Sequence, residues 1–93
     1  MIRSYRDART EALARGKPIK GFPADLVRRV VRKLTILEYA VALDDLNSPP
    51  GNRLEALKGD RRGQHSIRVN DQWRICFVWT KAGPELVEVT DYH

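Results

Sequence analysis

The chain has 93 residues, enough for one domain with a modest hydrophobic core, and a content of 42% hydrophobic and 31% charged residues is typical of a soluble globular protein. Its longest apolar runs are far shorter than the ~20 residues of a membrane-spanning helix, and no signal-peptide pattern opens the sequence. The single cysteine, Cys76, excludes a disulfide within the chain, so we expect a cytoplasmic single domain over residues 1–93 with no membrane contact, metal or cofactor.

The net charge of +5 and the isoelectric point near 9.8 indicate a polyanionic partner. Most of the seventeen basic residues are arginine, whose planar guanidinium contacts a phosphate through two N–H groups at once. Charge alone leaves three classes open: a nucleic-acid-binding protein, a structural ribosomal protein and a binder of acidic proteins.

The first elements are short. Residues 1–6 alternate weakly between apolar and polar side chains and predict a first strand. Residues 7–15 predict a helix with Asp7 as its N-cap and Gly16 as its C-terminal stop. The side chains expected to face the core are Ala8, Ala12 and Leu13.

A longer helix is predicted to start at Pro23, because proline suits the first helical turn. An apolar stripe at helical spacing is expected to pack on the sheet, and its members are Val27, Val30, Val31, Leu34, Leu37 and Val41. The basic residues on the remaining surface are Arg28, Arg29, Arg32 and Lys33. They are compatible with a solvated helix face, with contacts to a nucleic-acid backbone, or with docking of an acidic partner.

Strands dominate the second half. Residues 53–58 predict a short strand, and residues 64–69 and 73–79 alternate with period two on either side of the turn residues 70–72. Keeping the apolar faces together sets Ile67 opposite Ile75, which places Arg68 beside Arg74 on the reverse face of the sheet. Two adjacent arginines predict a phosphate-sized anion between them.

The last strand is predicted over residues 86–92, with Val87 and Val89 packed on Phe77 and Ile75. This parity sends three further side chains to the reverse face: Glu88, Thr90 and Tyr92. With His93 just beyond, the face acquires groups suited to phosphoryl transfer. His93 is also compatible with a frayed end and Tyr92 with packing, whereas His65 falls on the apolar face and is interpreted as a core or edge histidine.

Several motifs together resemble the HigB branch of the RelE toxin superfamily: Leu57-Lys58-Gly59-Asp60, residues 64–70 (QHSIRVN), residues 72–77 (QWRICF) and the terminal Asp91-Tyr92-His93. The resemblance implies an α+β fold, with two helices packed on a curved, mostly antiparallel sheet of four to five strands, and mRNA on the concave face. It also implies a ribosome-dependent endoribonuclease that cuts mRNA in the A site. The implied partner is a helix-turn-helix antitoxin of the HigA type, so that DNA is contacted only through the antitoxin.

By resemblance, the catalytic residues are Lys58, Arg74, Asp91, Tyr92 and His93. Some members have a histidine where this chain has Glu55, which is either a replacement base or a solvated or Arg53-paired carboxylate. The expected RNA-binding residues are Arg53, Arg61, Arg62 and Arg68. Metal-free cleavage needs a base for the 2′-OH, an acid for the 5′-oxygen and cations around the phosphorane. The competing interpretation is a non-catalytic nucleic-acid-binding module, or a degenerate toxin that only binds its partner.

Overall fold

The computed structural model describes residues 1–91. Its elements are α1 (Ala8–Ala14), α2 (Val27–Tyr39), β1 (Glu55–Ala56), β2 (His65–Arg68), β3 (Arg74–Thr80) and β4 (Gly83–Thr90). The strands form one antiparallel sheet in sequence order, and side chains from both helices and the sheet share one hydrophobic core. The predicted α+β class is therefore confirmed. Within residues 1–91, every helix is too short or too polar to cross a membrane.

The ends of α1 are set by the two residues that the sequence predicts. The Asp7 carboxylate accepts a hydrogen bond from the Thr10 backbone N–H at 2.8 Å, which satisfies one of the free donors at a helix N-terminus. Gly16 has φ 76°, and its N–H donates to the Leu13 carbonyl at 2.9 Å. Glycine adopts this left-handed conformation without a steric penalty, so the helix stops here.

The inward face of α1 differs from the prediction. Thr10 and Leu13 are fully buried, whereas Ala8 is exposed in the first turn. Thr10 is buried because its hydroxyl accepts a hydrogen bond from the Val89 N–H of β4 at 3.0 Å. This hydrogen bond therefore joins α1 to β4 in addition to the packing of Leu13 in the core.

Helix α2 follows a single 3₁₀ turn over Ala24–Leu26. Its apolar stripe is confirmed for the three buried residues Val30, Leu34 and Leu37. The stripe does not reach Val41, which is 90% exposed. The helix ends at Tyr39 and Ala40 has extended backbone angles, so the helical period no longer applies at Val41.

The register of the central hairpin agrees with the prediction. Ile67 lies opposite Ile75, and Arg68 lies opposite Arg74. Both isoleucines are fully buried against the helices. The side-chain period of two therefore places both arginines on the reverse face, opposite to the face that buries the isoleucines.

The turn of this hairpin is closed by a side chain instead of a glycine. The Asn70 side-chain oxygen accepts hydrogen bonds from the backbone N–H groups of Gln72, at 2.9 Å, and Trp73, at 2.7 Å. An asparagine that binds the backbone two and three residues ahead reproduces a tight turn. Gln72 can therefore stand where hairpins of this length prefer glycine.

The last strand begins and ends earlier than predicted, at Gly83 and Thr90. Ile75 pairs with Val89 as expected, but the register shifts by one residue between Cys76 and Val78. Leu86 has φ 51° within this irregularity. An extra residue of this kind bends a strand and increases its twist.

The predicted first strand is wrong in its regularity but right in its location. The chain start lies parallel to β4 through a single bridge between Tyr5 and Val87. Arg3 N–H donates to the Pro84 carbonyl at 2.8 Å, and Arg6 N–H donates to the Val87 carbonyl at 2.9 Å. The bulge in β4 interrupts a longer ladder, so this segment covers the sheet edge without forming a full strand.

The strand predicted over residues 53–58 is reduced to Glu55–Ala56. Arg53 has φ 46°, a left-handed conformation that cannot continue a strand. Lys58 opens the 3₁₀ turn Gly59–Arg61 at the other end. Both ends of β1 are therefore fixed by backbone conformations that hydrophobic periodicity does not reveal.

The assignment of the two sheet faces can be tested by comparing two truncations. Phe77 is fully buried, so Phe77→Ala should lower the free energy of unfolding by about 3–5 kcal/mol through a core cavity. Arg74→Ala removes hydrogen bonds to backbone carbonyls but no core volume and should cost roughly 1 kcal/mol. Urea denaturation measures both values, and equal losses would contradict the assignment of faces.

Candidate active site and nucleic-acid interface

The middle of the reverse face is a row of paired residues that crosses all four strands. The row consists of Glu55, Ser66, Cys76 and Glu88, each opposite the next. Ser66 and Cys76 are fully buried, and the two carboxylates stand at the ends of the row. Two small side chains between two acids make a low floor on this face.

A second row contains Arg68, Arg74 and Thr90. The Arg74 guanidinium donates to the Trp73 carbonyl at 3.2 Å and also to the Asn70 carbonyl. Arg68 forms an ion pair with the fully exposed carboxylate of Asp71 in the turn. The two arginines thus lie opposite each other as predicted, and the turn supplies one anion from within the chain.

Asp71 is strongly biased towards its charged form. Its hydrogen bond with Arg68 lowers the pKa of its carboxyl below the ordinary value of 3.8, and the nearby charges of Arg53 and Arg74 lower it further. Because this pKa is lower in the folded than in the unfolded state, the stabilisation is present above pH 3.8 and is lost as the pH falls through the lowered value. At neutral pH the charged carboxylate of Asp71 therefore lies beside the row that contains Arg68 and Arg74.

On the other side of the floor, Glu88 organises two arginines. Its Oε1 lies 3.1 Å from Arg61 Nη1 and 3.5 Å from Arg6 Nε. The same Arg61 nitrogen donates to Gln64 Oε1 at 3.1 Å. With Asp60, these groups line a cleft of about 330 Å³. The cleft is large enough for a phosphate with part of its sugar.

Cys76 lies between the two groups of cations. Burial raises the pKa of its thiol to about 11, although Arg61 and Arg74 lower it in part. The thiol is therefore protonated at neutral pH, and since the thiolate is the nucleophilic form, Cys76 is a packing residue of the floor.

The remaining predicted residues lie around the rim. Leu57 N–H donates to the Gln64 carbonyl at 2.9 Å, which places the exposed Lys58 at the far end of β2, roughly 13 Å along the strand from Arg68. Arg62 is exposed nearby, and Glu55 is exposed at the β1 edge. Lys58 and Arg74 therefore flank the floor from opposite ends and do not adjoin.

The C-terminal motif is only partly described. Asp91 is exposed, and its carboxylate accepts a hydrogen bond from Gln72 Nε2 at 3.0 Å. Tyr92 and His93 lie outside the described residues. His65 is half-buried on the internal strand β2 and stacks on Phe77 with ring centres 6.2 Å apart, which agrees with a packing role, but its Nδ1 has no hydrogen-bond partner within residues 1–91. In the same part of the chain, His, Cys, Asp and Glu side chains form no group of three that could hold a metal ion.

Comparisons with known proteins place this geometry in a family. A family model described as the RelE-like toxin of the type II toxin–antitoxin system HigB matches residues 5–93. The chain belongs to the HigB-like toxin family.

Two relatives of this HigB-like chain carry descriptive names. It is 32% identical to a protein of Proteus vulgaris named Endoribonuclease HigB, over 93 residues and 100% of both chains. It is 49% identical to Toxin HigB-1 of Vibrio cholerae over 57 residues, which cover 61% of this chain and 60% of that protein. The structure also resembles the YoeB–YefM complex from Staphylococcus aureus, with a TM-score of 0.62 and 14% identity over 100% of this chain and 98% of that one. At this identity the last likeness supports the fold alone.

Sequence reasoning about this HigB-like chain missed three residues that shape the site. The sequence pattern identifies Asp71 only as a turn residue, although an acid three residues after Arg68 indicates a local ion pair. Glu88 was placed on the correct face but given no role. Arg6 carried no signal, because its contact with Glu88 depends on how the chain start lies along β4.

Asp71 is expected to compete with RNA for Arg68. Asp71→Asn removes the internal anion, so it should tighten RNA binding and steepen the dependence of log K on log salt by about 0.7, the value of one phosphate contact. Fluorescence anisotropy with a short RNA at several salt concentrations measures both. Asp25→Asn, at an exposed acid outside the site, is the control for net charge. An equal response of both variants would assign the effect to overall charge.

Proposed function

We propose that this protein is the toxin of a type II toxin–antitoxin system and a ribosome-dependent endoribonuclease that cleaves mRNA in the A site. The proposal is carried by the opposed pair Arg68 and Arg74 on the reverse face, in a chain that aligns over its full length with a protein named Endoribonuclease HigB. Family membership supports the role as a toxin. The cleft beside Glu88 lies on the same face as the arginine pair and brings Arg6 and Arg61 together with the carboxylates of Asp60 and Glu88, so it supports a polar binding surface there.

The proposed reaction is attack of a ribose 2′-oxygen on the adjacent phosphorus, with departure of the 5′-oxygen. The 2′-OH gives its proton to a base, and the 5′-oxygen takes a proton from an acid, so the products are a 2′,3′-cyclic phosphate and a 5′-OH. Arg74 and Arg68 stabilise the extra negative charge on the phosphorane, and Lys58 approaches it from the rim. Hydrogen-bond donors stabilise the phosphorane most when they are oriented before the reaction begins. The backbone carbonyls orient the Arg74 guanidinium in this way.

His93 is the proposed proton-transfer residue, because an imidazole titrates near neutral pH. Tyr92 is proposed to stack on a base or to bond the phosphate, and Asp91, held by Gln72, to position the chain end. Glu55 is the alternative base, since it shares the reverse face with the floor. Arg53, Arg61 and Arg62 are proposed to contact the RNA backbone.

The proposed partner is an antitoxin of the HigA type in the cytoplasm. The antitoxin is proposed to contact DNA directly, and this protein is proposed to reach DNA only through the antitoxin. The complex named YoeB–YefM supports an antitoxin partner only by likeness of fold. The competing function is a toxin that binds RNA or its partner without cutting, and it differs from the proposal in one observable, the appearance of cleaved mRNA.

Ribosome dependence is tested by comparing two substrates. The purified protein should cut mRNA on translating ribosomes and leave the same naked RNA largely intact, because the ribosome orients the 2′-OH and such positioning supplies several kcal/mol of the barrier. Primer extension maps the cuts in both samples. Comparable cutting of naked RNA would contradict ribosome dependence, and RNA affinity without any cutting would favour the non-catalytic alternative.

The role of His93 is tested at the chain end. His93→Gln keeps hydrogen-bonding capacity but cannot titrate near pH 7, so it should slow cleavage by about 10²–10⁴-fold, the usual contribution of a positioned acid or base. Removal of the last residue should be as damaging and should leave the melting temperature unchanged. Single-turnover cleavage on programmed ribosomes between about pH 5.5 and 8.5 is the measurement. Full activity in both variants would move the role to Lys58, Glu55 or Asp91.

A further inference from the structure

A second concentration of positive charge lies outside the reverse face, between α2 and the β2 end of the sheet. Here a cleft of about 270 Å³, the α2 groove, is lined by the cations Arg29, Arg32, Lys33 and Arg68 over the apolar side chains of Ile36 and Val69. None of the three cations from α2 belongs to the RNA-binding set expected from the sequence.

The groove is built by helical spacing. Arg29, Arg32, Lys33 and Ile36 recur at intervals of three and four residues and therefore face the same side of α2. Arg29 Nη1 donates to the Val69 carbonyl at 3.4 Å, which draws the helix cations towards the sheet. Four cations from two elements thus share one small cleft.

One wall of the groove is fixed by a buried amide. Asn52 is fully buried and donates to the Leu46 carbonyl at 3.2 Å and the Ser48 carbonyl at 3.1 Å. Its side-chain oxygen accepts a hydrogen bond from Lys33 Nζ. The loop and the lysine are therefore held in place together, and the lysine keeps two further N–H donors for a ligand.

The positive charge in the groove is poorly compensated. Within residues 1–91, Arg29, Arg32 and Lys33 form no ion pair. Of the four groove cations, only Arg68 is paired with a carboxylate, that of Asp71. Partial burial lowers the pKa of Lys33, and the charges of Arg29, Arg68 and Arg32 lower it further. Like charges this close repel one another, so a bound anion would relieve a cost that the folded chain alone carries.

We propose that the α2 groove binds a phosphate of the RNA backbone, at a point on the RNA beyond the Arg68–Arg74 pair. Arg68 belongs to both surfaces, because it pairs with Arg74 in the sheet and also lines the groove. One polyanion can therefore pass from the Arg68–Arg74 pair round the hairpin end to α2. Arginines that leave N–H groups free suit phosphate better than they suit a lone carboxylate, because a phosphate offers more acceptor oxygens. This inference rests on the proposed function in so far as RNA is the ligand of the cleft.

The test removes two groove cations and compares a charge-matched control. The groove variant is Arg29→Gln with Arg32→Gln, and the control is Arg3→Gln with Arg28→Gln, which takes equal charge from exposed residues outside the groove lining. The probe is a short RNA hairpin with a single-stranded tail. The groove variant should bind it roughly tenfold more weakly and should reduce the salt slope by about 0.7, the value for one phosphate contact. The control should reduce both quantities much less, and thermal melts should show that both variants fold.

Two outcomes would overturn the inference. Equal loss of RNA affinity in both variants would show that the groove cations contribute only through the net charge of the protein. Unchanged RNA affinity in the groove variant, with slower association of the antitoxin, would assign the groove to an acidic protein partner. Binding is measured without cleavage, so a wild-type protein that binds RNA through the groove but cuts no ribosomal mRNA would refute the proposed function and leave the groove intact.

Discussion

The pairing register of β2 with β3 is the constraint on which both the core and the site depend. It sets Ile67 against Ile75 on the helix side and Arg68 against Arg74 on the other. A slip of one residue in β2 would turn Arg68 towards the core and Ile67 towards water. Burial of an unpaired guanidinium group costs far more than the repulsion of two partly exposed ones, so the hydrophobic pattern decides the register and the arginines remain adjacent.

Much of the fold follows from the sequence because the deciding interactions are local. Asp7 and Gly16 end α1, the period of α2 identifies its buried stripe, and alternation fixes the hairpin. The errors arise where distant parts of the chain decide. Thr10 is buried because a strand N–H needs an acceptor, and the start of the chain stays irregular because β4 contains a bulge. Helical periodicity and strand alternation do not reveal such distant partners.

The candidate site was predictable to the same extent. Strand parity brings Arg68, Arg74 and Glu88 to one face, and family motifs name the remaining candidates. The side-chain partners could not be foreseen, since long arginines reach several acceptors and their choice depends on neighbours. Arg61 therefore turns to Glu88 across 27 positions of sequence, and Lys33 turns to Asn52 across 19. The sequence shows only the basic face of α2, because it does not reveal where the loop that forms one wall of the α2 groove lies.

The segment that covers the outer edge of β4 has a consequence for the order in which contacts form during folding. Ser4 accepts a hydrogen bond from Leu86 across 82 positions of sequence, and the carbonyl of Met1 fills the space that a side chain at Gly83 would need. The backbone groups of Arg3 and Arg6 are thus satisfied only when this segment meets β4. Contacts of such long range form late in folding. The outer edge of β4 is consequently closed only after two segments 82 positions apart have met.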